Sequence, residues 1–268
     1  MFTKFIKSII PALALTLTCS AVSSAQGRVI EISNPKMTVF LPPKQLKGNK
    51  ALVALPGGGY SHLAVDHEGF NWAPFYNQQG LAYAVVEYTL PAGDRSKPIA
   101  DVDAAFKIMA DSAAQWGFHP DSIGIMGSSA GGHLASTMAT HPTEHCKPAF
   151  QILFYPVISM NPSLTHKGSR KHLLGENATT ELEDEYSSDK KVTSSTPRAI
   201  MLLCSDDKVV VPANSLRYYE SLTNAGVPAS LIVFPSGGHG WGYRTKSTKK
   251  FNNYENVKYE ISSWLKSF

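Results

Sequence analysis

The sequence predicts an α/β fold in which a mostly parallel sheet carries helices on both faces. Two observations predict it. Short apolar runs rich in Val, Ile and Leu alternate with stretches of helical periodicity, the rhythm of strands joined by crossover helices. The helical stretches are also punctuated as helices are, with Pro near a start and Gly just past an end. The connections between parallel strands are expected to be right-handed.

Ala51 to Leu55 is a buried strand, stopped by Pro56 and three glycines. Leu81 to Tyr88 is a second strand. Pro98 to Trp116 is a helix, because Ile99, Val102, Phe106 and Met109 fall on one face and Gly117 follows. Ser122 to Met126 is a third strand, and Ala130 to Thr140 the helix after it. Phe150 to Tyr155 and Ala199 to Cys204 are the fourth and fifth strands. Pro212 to Ala225 is a helix closed by Gly226. Ser230 to Phe234 is a sixth strand, and an amphipathic helix over Tyr254 to Leu265 follows. Residues 157–196 break the rhythm: they are polar, mixed in charge, and include Leu173-Leu174-Gly175 and the acidic patch Glu181 to Glu185. A segment of that length inside a domain is usually functional or disordered. It reads as an insertion, with short helices, capping a functional site.

Composition bounds the class. Of the 268 residues, 43% are hydrophobic and 17% charged, enough apolar side chain for a sizeable core and too little charge for general disorder. The net charge of +4 includes Lys4 and Lys7, without which 23 Lys and Arg face 21 Asp and Glu. No basic run is interleaved with aromatics, so no nucleic-acid partner is implied. Residues 1–25 read as a signal peptide. Lys4 and Lys7 form a positive n-region, Ile9 to Leu17 the apolar core, and Ser23-Ser24-Ala25 a small-residue cleavage site. That core is about half the ~20 residues a spanning helix needs, and no later segment is long and apolar enough. Thr16-Leu17-Thr18 is a poor lipid-attachment context for Cys19. The expectation is a secreted or periplasmic protein whose residues 26–268 form a single domain. Cys146 and Cys204 are too few for a disulfide scaffold, though they leave room for one bridge.

The strongest chemical signal is Gly127-Ser128-Ser129-Ala130-Gly131. It matches G-x-S-x-G and lies between a predicted strand and a predicted helix, the context that motif requires. Such a tight turn strains the serine backbone and lifts its hydroxyl beside a helix N-terminus. Ser129 is therefore the candidate nucleophile; Ser128 occupies the wrong place in the motif. A serine needs a general base, and in α/β-hydrolases the chain order is Ser, then acid, then His. His239, in Gly237-Gly238-His239-Gly240-Trp241 after the last strand, is placed to reach back. His133, His141 and His145 are too local to the nucleophile helix, and His166 and His172 fall in the polar insertion. The acid belongs after Ala199 to Cys204, where Asp206 and Asp207 adjoin. Asp207 is favoured for its offset from the following apolar run and Pro212, and Asp206 stays open as the alternative. The residue left over would serve a turn or a cap. An oxyanion needs backbone N–H donors: Ala130, after the nucleophile, and Gly58 and Gly59 of Leu55-Pro56-Gly57-Gly58-Gly59-Tyr60.

These segments resemble one family. The Leu55 to Tyr60 loop, Asp66-His67-Glu68-Gly69, His119-Pro120-Asp121, Gly127 to Leu134, Ser169 to Gly175 and Gly237 to Gly242 are similar to those of the acetylxylan-esterase-like α/β-hydrolases, from about Met37 to the C-terminus. The resemblance implies an α/β-hydrolase fold and hydrolysis of acyl esters on sugars, with no metal or organic cofactor. It implies Ser129 as nucleophile, Asp207 as acid and His239 as base, with an acylated carbohydrate or small ester as substrate. Tyr60, Trp72 and Trp241 lie near the site loops and could stack on sugar rings; Tyr60 and Trp241 are the candidates for substrate binding. Glu68 is expected to brace the glycine loop. His141, Glu144, His145 and Cys146 have possible metal-ligand spacing but read as a polar helix end. A serine peptidase, a broad carboxylesterase or lipase, and a non-catalytic scaffold are the competing functions. The triad argues against the last, and the lack of room for a large extra domain against a prolyl-oligopeptidase-like peptidase.

Overall fold

The computed structural model describes residues 27–244 and 251–268. The predicted leader and its Cys19 lie outside the described residues. Among those residues the strands are β1 (Arg28–Ser33), β2 (Lys36–Leu41), β3 (Ala51–Leu55), β4 (Ala82–Val86), β5 (Ile123–Ser128), β6 (Phe150–Phe154), β7 (Arg198–Cys204) and β8 (Ala229–Phe234). They form one sheet in the order β1-β2-β4-β3-β5-β6-β7-β8. From β4 to β8 all pairings are parallel, whereas β1 and β2 form an antiparallel hairpin whose second strand also runs antiparallel to β4.

β3, β4, β5 and β6 are buried along their whole length, as strands covered on both faces must be. The pleat sends alternate side chains to two cores. Val53, Ala84 and Ile125 face one side, with Val102, Phe106 and Met109 of α2 (Ser96–Trp116), Leu134 and Met138 of α3 (Ser129–Thr140), and Tyr218 and Leu222 of α6 (Ala213–Asn224). Leu52, Tyr83 and Ile152 face the other, with Phe75 and Tyr76 of α1 (Ala73–Gln78) and Val257, Ile261 and Leu265 of α7 (Tyr254–Leu265). Cys146 and Cys204 are both free thiols and buried in opposite cores, so the possible bridge is not made. No helix among the described residues is long and apolar enough to cross a membrane.

The six strands expected from apolar runs are present within a few residues. The N-terminal hairpin is an addition to them. Its strands alternate exposed and buried residues and carry no continuous apolar run. Segment 157–196 contains two short helices, α4 (Lys167–Leu174) and α5 (Thr180–Glu185). Arg170 binds them together, donating from Nε to Glu183 Oε1 at 2.7 Å with both side chains largely buried.

Candidate active site

Six parallel strands end on one edge of the sheet, where site residues collect in open α/β folds. β5 runs straight into α3 at Ser129. The turn forces Ser129 into the left-handed region, φ 54°, a strained conformation for a non-glycine residue that marks functional sites. Glycine is required on both sides. A Cβ at Gly127 would lie 2.1 Å from the Gly131 carbonyl oxygen, and one at Gly131 2.1 Å from that of Leu55.

The loops after β7 and β8 bring the partners. His239 Nε2 lies 2.8 Å from Ser129 Oγ, and His239 Nδ1 lies 2.7 Å from Asp207 Oδ2. With Nδ1–H donating to the carboxylate, Nε2 is left to accept from the serine hydroxyl, the tautomer a general base needs. Asp207 is held in turn: its Oδ1 accepts the backbone N–H groups of Val209 at 2.9 Å and Val210 at 3.0 Å. The two adjacent aspartates take different partners. Asp206 points the other way and accepts the N–H groups of Gly238 at 2.8 Å and Gly237 at 3.3 Å. Those bonds, Gly238 first, hold its carboxyl below the usual range. Asp206 thus ties down the loop on which His239 rides.

The glycine loop follows β3. Gly57 N–H is taken by Glu68 Oε2 at 2.8 Å. The amides of Gly58 and Gly59 have no acceptor among the described residues, and both glycines line the cleft beside Ser129. Ala130 sits in the first turn of α3, where N–H groups have no intrahelical partner. Glu68 is buried, and its other oxygen accepts from the Tyr155 hydroxyl at 2.9 Å. Tyr155 in turn accepts Gly242 N–H at 2.9 Å, and its ring packs edge-on against His239 at 4.8 Å. One buried carboxylate therefore couples the glycine loop to the histidine loop. Glu68 is the brace expected from the sequence. Tyr155 is a supporting residue that the sequence did not single out, because nothing local distinguishes it from a strand-end core tyrosine.

The aromatic residues expected on the sugar are a correction. Tyr60 is 1% exposed and Trp241 3%. The Tyr60 hydroxyl donates to His133 Nδ1 at 2.9 Å, and His133 Nε2–H donates to the Tyr186 carbonyl at 2.7 Å. Burial lowers the His133 pKa to about 4. Trp241 stacks on Phe251 at 4.3 Å, and Trp72 on Phe154 at 5.0 Å. All three rings are core. His141, Glu144, His145 and Cys146 do not converge: His141 pairs with Glu185, while His145 and Cys146 donate their backbone N–H groups to Asp103.

The cleft has a volume of about 320 Å³. Its lining includes, besides Ser129, His239 and the glycines, Ser61, His62 and His67 of the loop after β3, Val209, and His166, a residue of segment 157–196. His172 of α4 lies against the same loop, its Nδ1–H donating to the Gly59 carbonyl at 2.9 Å. The insertion thus reaches the site through two histidines that sequence order alone set aside.

Residues 52–242 match the α/β-hydrolase fold family. The chain is 39% identical, over 95% of its length, to an acetylxylan esterase of Xylanibacter ruminicola, and it spans about half the length of that relative (53%). It is 30% identical over 77% of its length to endo-1,4-beta-xylanase B of Butyrivibrio fibrisolvens, of which it covers 34%. Among solved structures, an acetyl ester-xyloside bifunctional hydrolase from Caldicellulosiruptor lactoaceticus superposes with a TM-score of 0.78 at 31% identity. That match covers 88% of this chain and 89% of the other. The chain belongs to the α/β-hydrolase fold family.

Proposed function

We propose that this protein is a serine esterase that removes acyl groups, acetyl above all, from carbohydrates such as xylan. The observation that carries the reading is the relay Ser129 Oγ, His239 Nε2, His239 Nδ1, Asp207 Oδ2, with both links under 3 Å. The likeness to an acetylxylan esterase and to an acetyl ester-xyloside hydrolase points to sugar esters as substrate.

His239 takes the Ser129 proton as Oγ attacks the ester carbonyl, and Asp207 stabilises the imidazolium that forms. The oxyanion is held by the N–H groups of Ala130, Gly58 and Gly59, each such donor being worth roughly 3 kcal/mol. His239 then gives its proton to the leaving alcohol, and the acyl group stays on Ser129. Water attacks the acyl-enzyme by the same route, releasing the acid and restoring the Ser129 hydroxyl. Residues 1–25 are proposed as a cleaved leader, which would place this chemistry in the periplasm or outside the cell.

The test is acetate release from acetylated xylan by wild type and Ser129→Ala, with p-nitrophenyl acetate and a chromogenic dipeptide amide alongside. Wild type is expected to release acetate and to leave the amide intact. The variant is expected to fold and to lose at least about 10⁴-fold in kcat. Undiminished release by the variant would remove Ser129 from the mechanism, and amide cleavage outpacing ester cleavage would make the enzyme a peptidase.

A further inference from the structure

His166 enters the cleft from segment 157–196 and faces Ser129, His239 and the glycine loop. A Cβ added at Gly59 would come 3.6 Å from His166 Cε1, so the imidazole stands against the loop that carries the free amides. Its ring is fixed from below. His166 is the N-cap of α4, and its Nδ1 accepts the Ser169 N–H at 3.2 Å. An imidazole nitrogen that accepts carries no proton, so in the neutral ring the proton is on Nε2. Nε2 has no protein partner among the described residues. Burial first, then the neighbouring His239 and His172, lower its pKa, which keeps the ring neutral at neutral pH. The cleft, which His62 and His67 also line, therefore presents at His166 a side-chain N–H donor held in orientation by its cap bond and free of any protein acceptor among the described residues.

We infer that His166 Nε2–H donates to the hydroxyl beside the scissile ester, so that the site selects monoesters of vicinal diols, the pattern of a partly acylated sugar ring. This rests on the esterase reading and sharpens its substrate class. The leaving oxygen must lie close to His239 Nε2 to receive its proton. His166 is a near neighbour of His239 across the cleft, so a group it can reach is attached near that leaving oxygen. Because His166 also stands against Gly59 of the amide loop, a substrate that lacks the neighbouring hydroxyl separates a donor to that hydroxyl from a donor to the oxyanion. A donor built for a hydroxyl discriminates strongly against the analogue that lacks it.

The experiment crosses enzyme and substrate. Substrates are methyl xyloside monoacetate with a free hydroxyl next to the ester, its deoxy analogue lacking that hydroxyl, and p-nitrophenyl acetate. Enzymes are wild type, His166→Asn and His166→Gln. Asn is a good N-cap and keeps the start of α4 while removing the reaching donor. Gln caps less well and keeps an N–H at about the same reach. Expected is a fall of about tenfold in kcat/KM for His166→Asn on the hydroxy ester. Its rates on the deoxy ester and p-nitrophenyl acetate should stay within about twofold of wild type, and His166→Gln should recover part of the loss. Equal losses on hydroxy and deoxy esters would make His166 an oxyanion donor or a structural prop and overturn the inference. So would no loss on either. If wild type hydrolyses p-nitrophenyl acetate but neither xyloside, the sugar-ester reading falls and this inference falls with it.

Discussion

Ser129, Asp207 and His239 stand on loops that leave the ends of β5, β7 and β8, whereas His166 and His172 reach the same cleft from segment 157–196. The first set is positioned by the sheet. Strand pairing fixes where each loop begins, and backbone amides fix where each acid points: Val209 and Val210 for Asp207, Gly237 and Gly238 for Asp206. The second set is positioned by a helix cap and by a buried ion pair, Arg170 with Glu183, that joins two short helices to each other. The triad residues thus stand on loops held by the sheet, and the facing wall of the cleft is built on an inserted segment, the kind of connection that varies more than the elements it joins.

The largest effect should come from the two adjacent aspartates, because one serves each kind of job. Asp207→Asn puts an amide against His239 Nδ1 and favours the wrong tautomer, and kcat is expected to drop about 10⁴-fold. Asp206→Asn keeps an oxygen that can still accept one glycine N–H, so less than about tenfold is expected. Steady-state kinetics on p-nitrophenyl acetate decide it. Comparable losses in the two variants would mean that the histidine loop is as important as the charge behind the histidine, and the division between positioning and chemistry would collapse.

How legible each region was in the sequence follows the same division. The turn at Ser129 is legible because its motif is local: Gly127 is demanded by a 2.1 Å approach to Gly131 four residues on, and Gly131, although demanded by Leu55 of β3, stands in the same five-residue pattern. The strands from β3 to β8 announce themselves by apolar runs. The β1–β2 hairpin does not, since only alternate residues are buried and Asn34-Pro35 between the strands reads as an ordinary turn. Tyr60 and Trp241 lie in site loops by sequence, yet their rings turn inward. Whether a loop aromatic faces solvent or core depends on neighbours distant in the chain, here His133 for Tyr60 and Phe251 for Trp241. His166 is illegible for the converse reason: nothing in a polar insertion says which of its histidines will fold back over the serine.

Glu68 sits on the boundary between the regions and should give an intermediate effect. Both its partners are donors, Gly57 N–H and Tyr155 O–H. Glu68→Gln keeps an acceptor for Gly57 N–H but loses the charge, and its amide N–H can meet Tyr155 only if that hydroxyl turns from donor to acceptor. The glycine loop should loosen, lowering kcat by about 10- to 100-fold with KM little changed, less than the roughly 10²–10³-fold of deleting an oxyanion donor. A variant with normal kcat would show that the loop holds its amides in place without the carboxylate.

The smallest effect on turnover is expected at Tyr60 and His133, which lie beneath the cleft and belong to its support. Tyr60→Phe leaves the buried His133 Nδ1 without its donor, a cost of about 1–3 kcal/mol in stability. The ratio of sugar-ester to p-nitrophenyl acetate hydrolysis should not move, which separates a buried strut from a sugar platform. The pH dependence has a definite sign. His133 titrates at about 4 in the fold and at about 6.5 when exposed. The unfolded chain therefore binds the extra proton first, and the His133 contribution to stability is full above pH 6.5 and is lost as pH falls from there towards 4. Urea unfolding of wild type between pH 7 and 4.5 should show a decline that is shallower in His133→Gln, whose amide can meet both partners without taking up a proton. Parallel pH profiles for the two proteins would mean that His133 is not held neutral by burial. A changed selectivity in Tyr60→Phe would return Tyr60 to the substrate side of the comparison.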